Sequence, residues 1–266
     1  MPHVFVTGAA GGLGRHLVGA WSRRGWRVTA TDLYESALVV IGRQDGWSRN
    51  VFSAALDVRD PEAWESVWAR AEAANGPVDR LINNAGFLAP DWAKEFAAAD
   101  VHTHFDVNVK GVVFGTQKAL RMMTGRGSGH IINIGSLAGL SPVPGLSLYA
   151  GSKFAVRGFS LSVAAELQGT GVTLTLLEPD AIATPMLDLQ SSRPEAELTF
   201  SGGRVLSPAD IEVALDEAFA KRPLELIVPT GRGILARAAG LMPGLGMKVV
   251  PLLRRLGRRG QAAFRG

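Results

Sequence analysis

The chain has 266 residues, 47 % hydrophobic and 20 % charged, which is enough to bury a sizeable core in one large α/β domain. It has no cysteine, which excludes disulfides, thiol catalysis and thiolate metal sites; a cytoplasmic protein without a metal is expected. The net charge of +4 is uneven, because residues 226–266 hold eight basic residues and no acidic one, whereas residues 1–225 hold 20 basic and 24 acidic residues. The mildly acidic body disfavours a nucleic-acid partner. The strand-like start and the lack of a long apolar run predict neither a signal peptide nor a membrane-spanning helix.

Short apolar runs alternate with segments of helical periodicity. In chain order, the predicted elements are a strand at 4–8, a helix through Leu13, Leu17 and Trp21, strands at 26–32 and 51–58, a helix capped by Asp60 and beginning at Pro61, a strand at 80–86, a helix at about 100–123, a strand at 130–136, a helix at about 149–168, a strand at 172–179, a helix from Pro208 to about Lys221 and a strand at 224–229. The strands are continuous apolar runs, which is typical of a parallel sheet covered on both faces.

This alternation predicts a single doubly wound α/β domain of the Rossmann type over residues 1–231, with a parallel seven-stranded sheet. Residues 185–206 are irregular and polar and are expected to form a mobile lid loop. Residues 232–266 form a basic, apolar C-terminal extension.

Residues 7–14, TGAAGGLG, lie between the first strand and the first helix. A glycine-rich turn at this place lets a pyrophosphate approach the backbone and bind at the helix N-terminus. Gly8, Gly12 and Gly14 are in the positions that this requires. The alternative interpretation is a turn that is merely tight.

Asp32 ends the second strand, 24 residues after Gly8. A carboxylate there accepts hydrogen bonds from the adenosine ribose and repels a 2′-phosphate, so it favours NAD over NADP. Arg15, just after the glycine loop, is the one nearby cation that would favour the phosphate. The alternative interpretation is that Asp32 is an ordinary turn residue at the end of the strand, without a role in cofactor binding.

The segment SLYAGSKFA (147–155) contains Tyr149, one of only two tyrosines, four residues before Lys153. The two side chains would share a helix face, but this spacing alone is common by accident.

Together these pieces resemble the compact branch of the short-chain dehydrogenase/reductase family. The matching motifs are TGAAGGLG (7–14), Asp57-Val58, NNAG (83–86), Asn108 in NVKG, Ser136 in IGS and YAGSK (149–153). They follow the order of the family from residue 4 to about 185, and six motifs in register are specific where any one alone is not.

The resemblance implies four catalytic residues. Tyr149 would be the general acid/base, and Lys153 would lower its pKa from the usual value of about 10 and bind the nicotinamide ribose. Ser136 would hold the substrate oxygen at the carboxyl end of the fifth strand. Asn108 would anchor a water that relays protons from Lys153. A structural role for Asn108, in which it bonds the backbone at a helix kink, is compatible with that relay.

The resemblance also implies a set of cofactor contacts, with Asp57 at the adenine amine. These are Gly8, Gly12, Leu13, Gly14, Asp32, Asp57, Val58, Asn84, Ala85, Gly86, Tyr149, Lys153, Pro179 and Thr184. Asn83 is expected to brace the sheet more than to touch the cofactor.

One position departs from the family. Pro179 is followed by Asp180 where the family usually has glycine. A carboxylate beside the nicotinamide would favour its cationic, oxidised form; a side chain turned to solvent is the alternative.

The extension mixes apolar residues with basic ones only, and Gly240, Pro243, Gly244, Gly246 and Pro251 are expected to break any single helix. Peripheral contact with an anionic membrane is one interpretation. The other interpretation, which is favoured, is that the apolar residues of the extension cover the substrate cleft or a subunit interface.

The sequence therefore predicts an NAD-dependent oxidoreductase that interconverts a secondary alcohol and a ketone and assembles as a homodimer or homotetramer. Met186, Leu187 and Leu189 in the lid favour a bulky, apolar substrate such as a lipid, steroid or terpenoid. A catalytically silent dinucleotide sensor or scaffold is the alternative.

Overall fold

The structure is a computed structural model that describes residues 1–265. Its strands are β1 (His3–Thr7), β2 (Arg27–Asp32), β3 (Val51–Ala55), β4 (Arg80–Asn83), β5 (Gly129–Ile134), β6 (Val172–Pro179) and β7 (Glu225–Val228). Its α-helices are α1 (Gly12–Arg23), α2 (Glu35–Gln44), α3 (Pro61–Asn75), α4 (Ala98–Phe105), α5 (Gly111–Thr124), α6 (Ser147–Glu166), α7 (Pro185–Ser191), α8 (Pro208–Lys221), α9 (Thr230–Leu241) and α10 (Pro243–Arg265). A π-helical turn (Asp106–Lys110) joins α4 to α5, and 3₁₀ helices lie at Leu137–Gly139 and Pro194–Ser201.

The seven strands form one parallel sheet in the order β3-β2-β1-β4-β5-β6-β7. The predicted α/β fold class and the number of strands are therefore confirmed. The strand order reverses between β1 and β4, and ligands in such sheets bind at the carboxyl ends of the strands beside this reversal.

Alternating side chains of the strands fill a core on each face of the sheet. Val4 and Val6 pack on one face with the fully buried Trp21 of α1. Phe5, which points the other way, stacks on Trp68 of α3 with ring centres 5.3 Å apart. Both faces are apolar, which is why the strands read as continuous hydrophobic runs.

Two helix starts are capped by side chains, and the first of these caps, Asp60, is the one predicted. The Asp60 carboxylate accepts a hydrogen bond from the Glu62 backbone N–H at 2.8 Å, with Pro61 as the first helical residue. At α8, Ser207 and Asp210 cap each other's backbone N–H groups.

The lid and the extension differ from their predictions. Residues 185–206 are not irregular, because they form α7 and the 3₁₀ helix Pro194–Ser201, which buries Ala196 and Phe200. The extension does break at Met242, but Gly244, Gly246 and Pro251 lie inside the 23-residue α10. Packing of α10 on the lid 3₁₀ helix outweighs their poor helix propensity. Helix α2 was not predicted at all.

Within residues 1–265, no helix has both the length and the apolar character needed to cross a bilayer.

Candidate active site

The backbone of the glycine loop after β1 is in close contact with the segments after β4 and β6. Gly8 has φ of +67°, and a Cβ there would lie 2.9 Å from the Ala85 Cα. A Cβ on Gly14 would lie 2.2 Å from the Gly8 carbonyl oxygen, and one on Gly12 would lie 2.8 Å from Thr184. Only glycine fits at these positions, and they leave bare backbone at the N-terminus of α1.

The Asp32 carboxylate lies on the wall of the cavity, at the end of β2. It accepts hydrogen bonds from the backbone N–H groups of Ala10 at 2.9 Å and Leu33 at 2.8 Å. These bonds fix the carboxylate against the glycine loop. Arg15 does not reach it, because its guanidinium makes two hydrogen bonds with Asp45, at 2.6 and 2.5 Å.

The adenine end of the predicted site lies after β3. Asp57, Val58 and Arg59 line the same cavity. Arg59 donates hydrogen bonds to both carboxylate oxygens of Asp57, which holds the pKa of that carboxyl below its usual range. Asp57 is therefore ionised and already paired at neutral pH.

The segment after β4 braces the loop from the other side. The Asn84 side-chain amide donates to the carbonyls of Thr7 at 2.9 Å and Gly8 at 3.2 Å. Ala85 and Gly86 line the cavity beside it. Asn83 instead donates to Asn133 inside the sheet at 2.8 Å, as its expected bracing role requires.

Ser136, Tyr149 and Lys153 lie together at the carboxyl end of β5 and line the cavity. Ser136 caps the 3₁₀ helix after β5, and its hydroxyl accepts a hydrogen bond from the Ala138 backbone N–H at 3.1 Å. Tyr149 and Lys153 are one turn apart on α6, with Lys153 Nζ 5.6 Å from the centre of the phenol ring. Lys153 Nζ donates to the Ile134 carbonyl at 2.8 Å, which fixes the ammonium beneath the tyrosine.

Burial dominates the proton affinities of this pair. It raises the pKa of Tyr149 to about 12, against an opposing hydrogen bond from Ser136, and it lowers the pKa of Lys153 to about 8. In the chain alone the pKa of Tyr149 is thus raised, and the expected lowering of that pKa by Lys153 stays a prediction. Here desolvation of the phenolate outweighs the hydrogen bond from Ser136, and the phenol is protonated at neutral pH.

Asn108 is fully buried in the π-helical turn between α4 and α5. Its side chain accepts from the Phe87 backbone N–H at 2.7 Å and donates to the Phe87 carbonyl at 2.9 Å and the Ser152 hydroxyl at 3.0 Å. The helix-kink interpretation is therefore correct. These bonds tie the loop after β4 to the catalytic helix α6.

At the end of β6, Pro179, Asp180 and Thr184 line the cavity. The Asp180 carboxylate lies 2.6 Å from Arg232 Nε of α9. Burial raises the pKa of Asp180, and Arg232 opposes that shift. The alternative that Asp180 is turned to solvent is therefore wrong, because its side chain is 9 % exposed and paired with Arg232. Its effect on a bound nicotinamide stays a prediction.

One cavity of about 1310 Å³ is lined by all of the predicted site residues except Gly14 and Asn108. The cavity extends from the glycine loop past the Ser136–Tyr149–Lys153 cluster to the extension. Its volume is larger than that of a typical small-ligand pocket. The bare glycine backbone and the cavity-lining carboxylate of Asp32 fit a dinucleotide. Met186 and Leu187 line the cavity as predicted, but Leu189 is exposed.

Several lining residues were missed from the sequence, namely Leu88, Val143, Leu146, Leu198, Arg232, Leu235, Met242, Leu245, Val249 and Leu253. Most belong to loops or to α9 and α10, where no local motif marks a side chain as pocket-lining. The helical spacing of the apolar residues at 245, 249 and 252 is the one signal in the sequence that indicates an amphipathic helix here.

The sequence model of the family described as short chain dehydrogenase matches residues 2–195. The chain belongs to the short-chain dehydrogenase family. This short-chain dehydrogenase is 38 % identical to sulfoacetaldehyde reductase 2 of Chromohalobacter salexigens over 183 residues, or 68 % of this chain and 73 % of that protein. It is 35 % identical to the NADP-dependent 3-hydroxy acid dehydrogenase YdfG of Escherichia coli K12 over 216 residues, or 80 % and 86 % of the two chains.

Solved structures agree with the family assignment. A short-chain dehydrogenase/reductase from Burkholderia phymatum in complex with NAD superposes with a TM-score of 0.82 at 26 % identity, covering 92 % of this chain and 95 % of that one. The closed form of a serine dehydrogenase complexed with NADP⁺ gives 0.75 at 32 % identity, covering 85 % and 93 %. This short-chain dehydrogenase is therefore an oxidoreductase with a nicotinamide dinucleotide cofactor.

Proposed function

We propose that the chain is an NAD(H)-dependent enzyme that interconverts a bulky, apolar secondary alcohol and its ketone. The observation that carries the proposal is the convergence of Ser136, Tyr149 and Lys153 with the glycine loop and Asp32 on one cavity. Residues 1–231 form the catalytic domain, and residues 232–266 cover its substrate end.

The bound nicotinamide supplies or accepts the hydride. The glycine loop and the residues after β3, β4 and β6 would hold the dinucleotide, and Lys153 would bind its ribose. The Ser136 hydroxyl hydrogen-bonds the substrate oxygen and orients it toward the Tyr149 hydroxyl. Tyr149 gives its proton to that oxygen in ketone reduction and takes it back in alcohol oxidation. Asn108 keeps α6 in place and anchors the water that renews the proton through Lys153.

The preference for NAD rests on charge. Asp32 is fixed by two backbone N–H groups where a 2′-phosphate would lie, and Arg15 is paired with Asp45. The enzyme from Escherichia coli named above is NADP-dependent, so this is a point where the chain would differ from a relative. The pair Asp57–Arg59 leaves no excess positive charge at the adenine end.

The preference for an apolar substrate rests on the lining of the cavity. Leu235, Met242 and Leu245 of the extension face it together with lid residues. Of the charged residues that line the cavity within the described chain, both arginines are paired with aspartates, Arg59 with Asp57 and Arg232 with Asp180. A substrate carboxylate or sulfonate would have to break one of these pairs.

A small hydroxy acid or hydroxysulfonate is the second candidate substrate class. It is favoured by the relatives, whose names give sulfoacetaldehyde and 3-hydroxy acids as substrates. Such an anionic substrate could bind if Arg232 were released from its pair with Asp180.

We also propose a cytoplasmic homodimer or homotetramer. Phe105 on α4 and Phe154 on α6 are exposed on neighbouring helices and are suited to a subunit interface.

The test is an initial-rate screen with NAD⁺ and NADP⁺ over long-chain secondary alcohols, hydroxysteroids, 3-hydroxy acids and 2-hydroxysulfonates. The proposal expects NADH formation with the apolar alcohols and a kcat/KM at least tenfold lower for the acids. Preference for the acids would establish the second candidate. Tight NADH binding without turnover of any alcohol or ketone would instead favour the silent sensor.

A further inference from the structure

Helix α10 carries an apolar stripe on its exposed surface. The stripe is Leu245, Val249, Leu252 and Leu256, which are 56, 45, 60 and 43 % exposed. Their spacing of four, three and four residues places them on one helix face. Leu241 and Met242 at the turn before α10 extend the exposed apolar surface.

A row of cations follows the stripe. Lys248, Arg255 and Arg259 each come three residues after a leucine of the stripe and are exposed. Among residues 1–265, none of the three makes an ion pair. The extension has no acidic residue that would neutralise them.

The opposite face of α10 is fixed to the lid. A Cβ on Gly257 would lie 2.0 Å from the Glu197 carbonyl oxygen, so the helix backbone is in contact with the 3₁₀ helix. Gln261 donates hydrogen bonds to the carbonyls of Gln190 at 2.9 Å and Arg193 at 2.8 Å. Since this face is docked, the apolar stripe cannot turn inward without breaking these contacts.

The stripe is continuous with the candidate active site. Leu245 and Val249 are exposed and also line the cavity, as does Met242. An apolar molecule that reaches the stripe therefore has an apolar path to the cavity.

We infer that α10 docks on an anionic lipid bilayer, with the apolar stripe in the headgroup boundary, and that the apolar substrate enters the cavity from that membrane. A row of unpaired cations beside an exposed apolar stripe is complementary to such a surface. The same charge disfavours a second copy as the occupant, because two wholly basic faces would repel each other. The inference concerns the source of the substrate and rests on the apolar substrate proposed above.

The test is flotation of the full-length protein with phosphatidylcholine vesicles and with vesicles that contain phosphatidylglycerol. We expect binding to the anionic vesicles that weakens as salt is raised, and little binding to the zwitterionic ones. Lys248→Glu with Arg255→Glu should weaken binding at least about tenfold, since each cation near an anionic surface contributes several-fold. Leu252→Ser with Leu256→Ser should also weaken it.

The matched control is Arg43→Glu with Arg49→Glu, which makes the same charge change on exposed residues outside the extension and should bind like the wild type. No binding of the wild type to anionic vesicles at low salt would overturn the inference, as would equal loss in the control. A change in oligomer size of the Leu252→Ser, Leu256→Ser variant, without vesicle binding by the wild type, would assign the stripe to an interface between copies and overturn it as well.

Turnover of a soluble, medium-chain secondary alcohol without vesicles separates this result from the proposed function. If that turnover is present and vesicle binding is absent, the membrane inference fails and the proposed function stands. If vesicles bind and no alcohol or ketone is turned over, the docking stands and the proposed function fails.

Discussion

Lys153 is a charged side chain in a place where the fold disfavours charge. It is 5 % exposed, and its Nζ donates one hydrogen bond, to the Ile134 carbonyl. Burial lowers its pKa from the usual 10.5 to about 8, so the protonated form is less stable in the folded chain than in the unfolded one. The residue that we propose as the partner of Tyr149 in proton transfer is thus a source of instability.

Lys153→Met is expected to stabilise the protein at pH 7, by about 1 to 3 kcal/mol, while it removes turnover. The folded-state pKa is lowered, so the destabilisation is fully present below pH 8 and disappears as pH rises through 10.5. Urea unfolding of both proteins at pH 7 measures the difference. Lys94→Met, at an exposed position, should change the free energy of unfolding by less than about 0.5 kcal/mol. A Lys153→Met protein less stable than the wild type would contradict this account.

Asp32→Ala is expected to reduce the preference for NADH over NADPH from roughly 10- to 100-fold to a few-fold, because the fixed carboxylate that repels the 2′-phosphate is removed. Fluorescence titration gives both dissociation constants. Asp57→Asn is the control, since its effect should be similar for the two cofactors. Equal binding of NADH and NADPH by the wild type would rule out the role given to Asp32.

At the scale of elements, α10 is held to the lid by backbone contact. Gly257 and Gly260 lie on the docked face, and a Cβ at Gly260 would come 2.2 Å from the Phe200 carbonyl oxygen. Phe264 then packs on Phe200 with ring centres 5.4 Å apart. Arg254 and Arg258 pair with the buried Glu197, at 3.1 and 3.6 Å. The extension and the lid are therefore packed together as one unit.

Gly257→Ala is expected to displace α10 from the lid, because the added Cβ meets a backbone oxygen that has no room to yield. Hydrogen exchange in α10 should become at least tenfold faster, and KM for an apolar substrate should rise with little change in cofactor affinity. Gly244→Ala, in the same helix but with open space around the position, is the matched control and should leave both values unchanged. Similar exchange rates in the two variants would argue against docking through this face.

The number of strands, their places along the chain and their parallel direction follow from the sequence, because each strand is a continuous apolar run between turn residues. Three predicted strands extend too far at their carboxyl ends, because residues 56–58, 84–86 and 135–136 lie in the loops after β3, β4 and β5. These are the loop residues that line the site, and being partly apolar they look like strand. Contacts such as Asp180–Arg232 join residues far apart in the chain, so no local pattern predicts them.

Over the whole molecule, charge and apolar surface are divided between two parts. The body is mildly acidic and forms the sheet and the glycine-loop side of the cavity, and the extension is basic and apolar and lines another side of the same cavity. The family match accounts for residues 2–195, so α9 and α10 lie beyond the matched region. We therefore expect cofactor chemistry common to the family and a substrate preference set by the extension.

The most direct test of that account compares wild type and Tyr149→Phe in NAD⁺ reduction with the best alcohol from the substrate screen. The substitution removes only the proton that the phenol transfers. We predict a loss of at least about 100-fold in kcat, with the NADH dissociation constant within a factor of about two of the wild-type value. Turnover by Tyr149→Phe within a few-fold of the wild type would contradict the account.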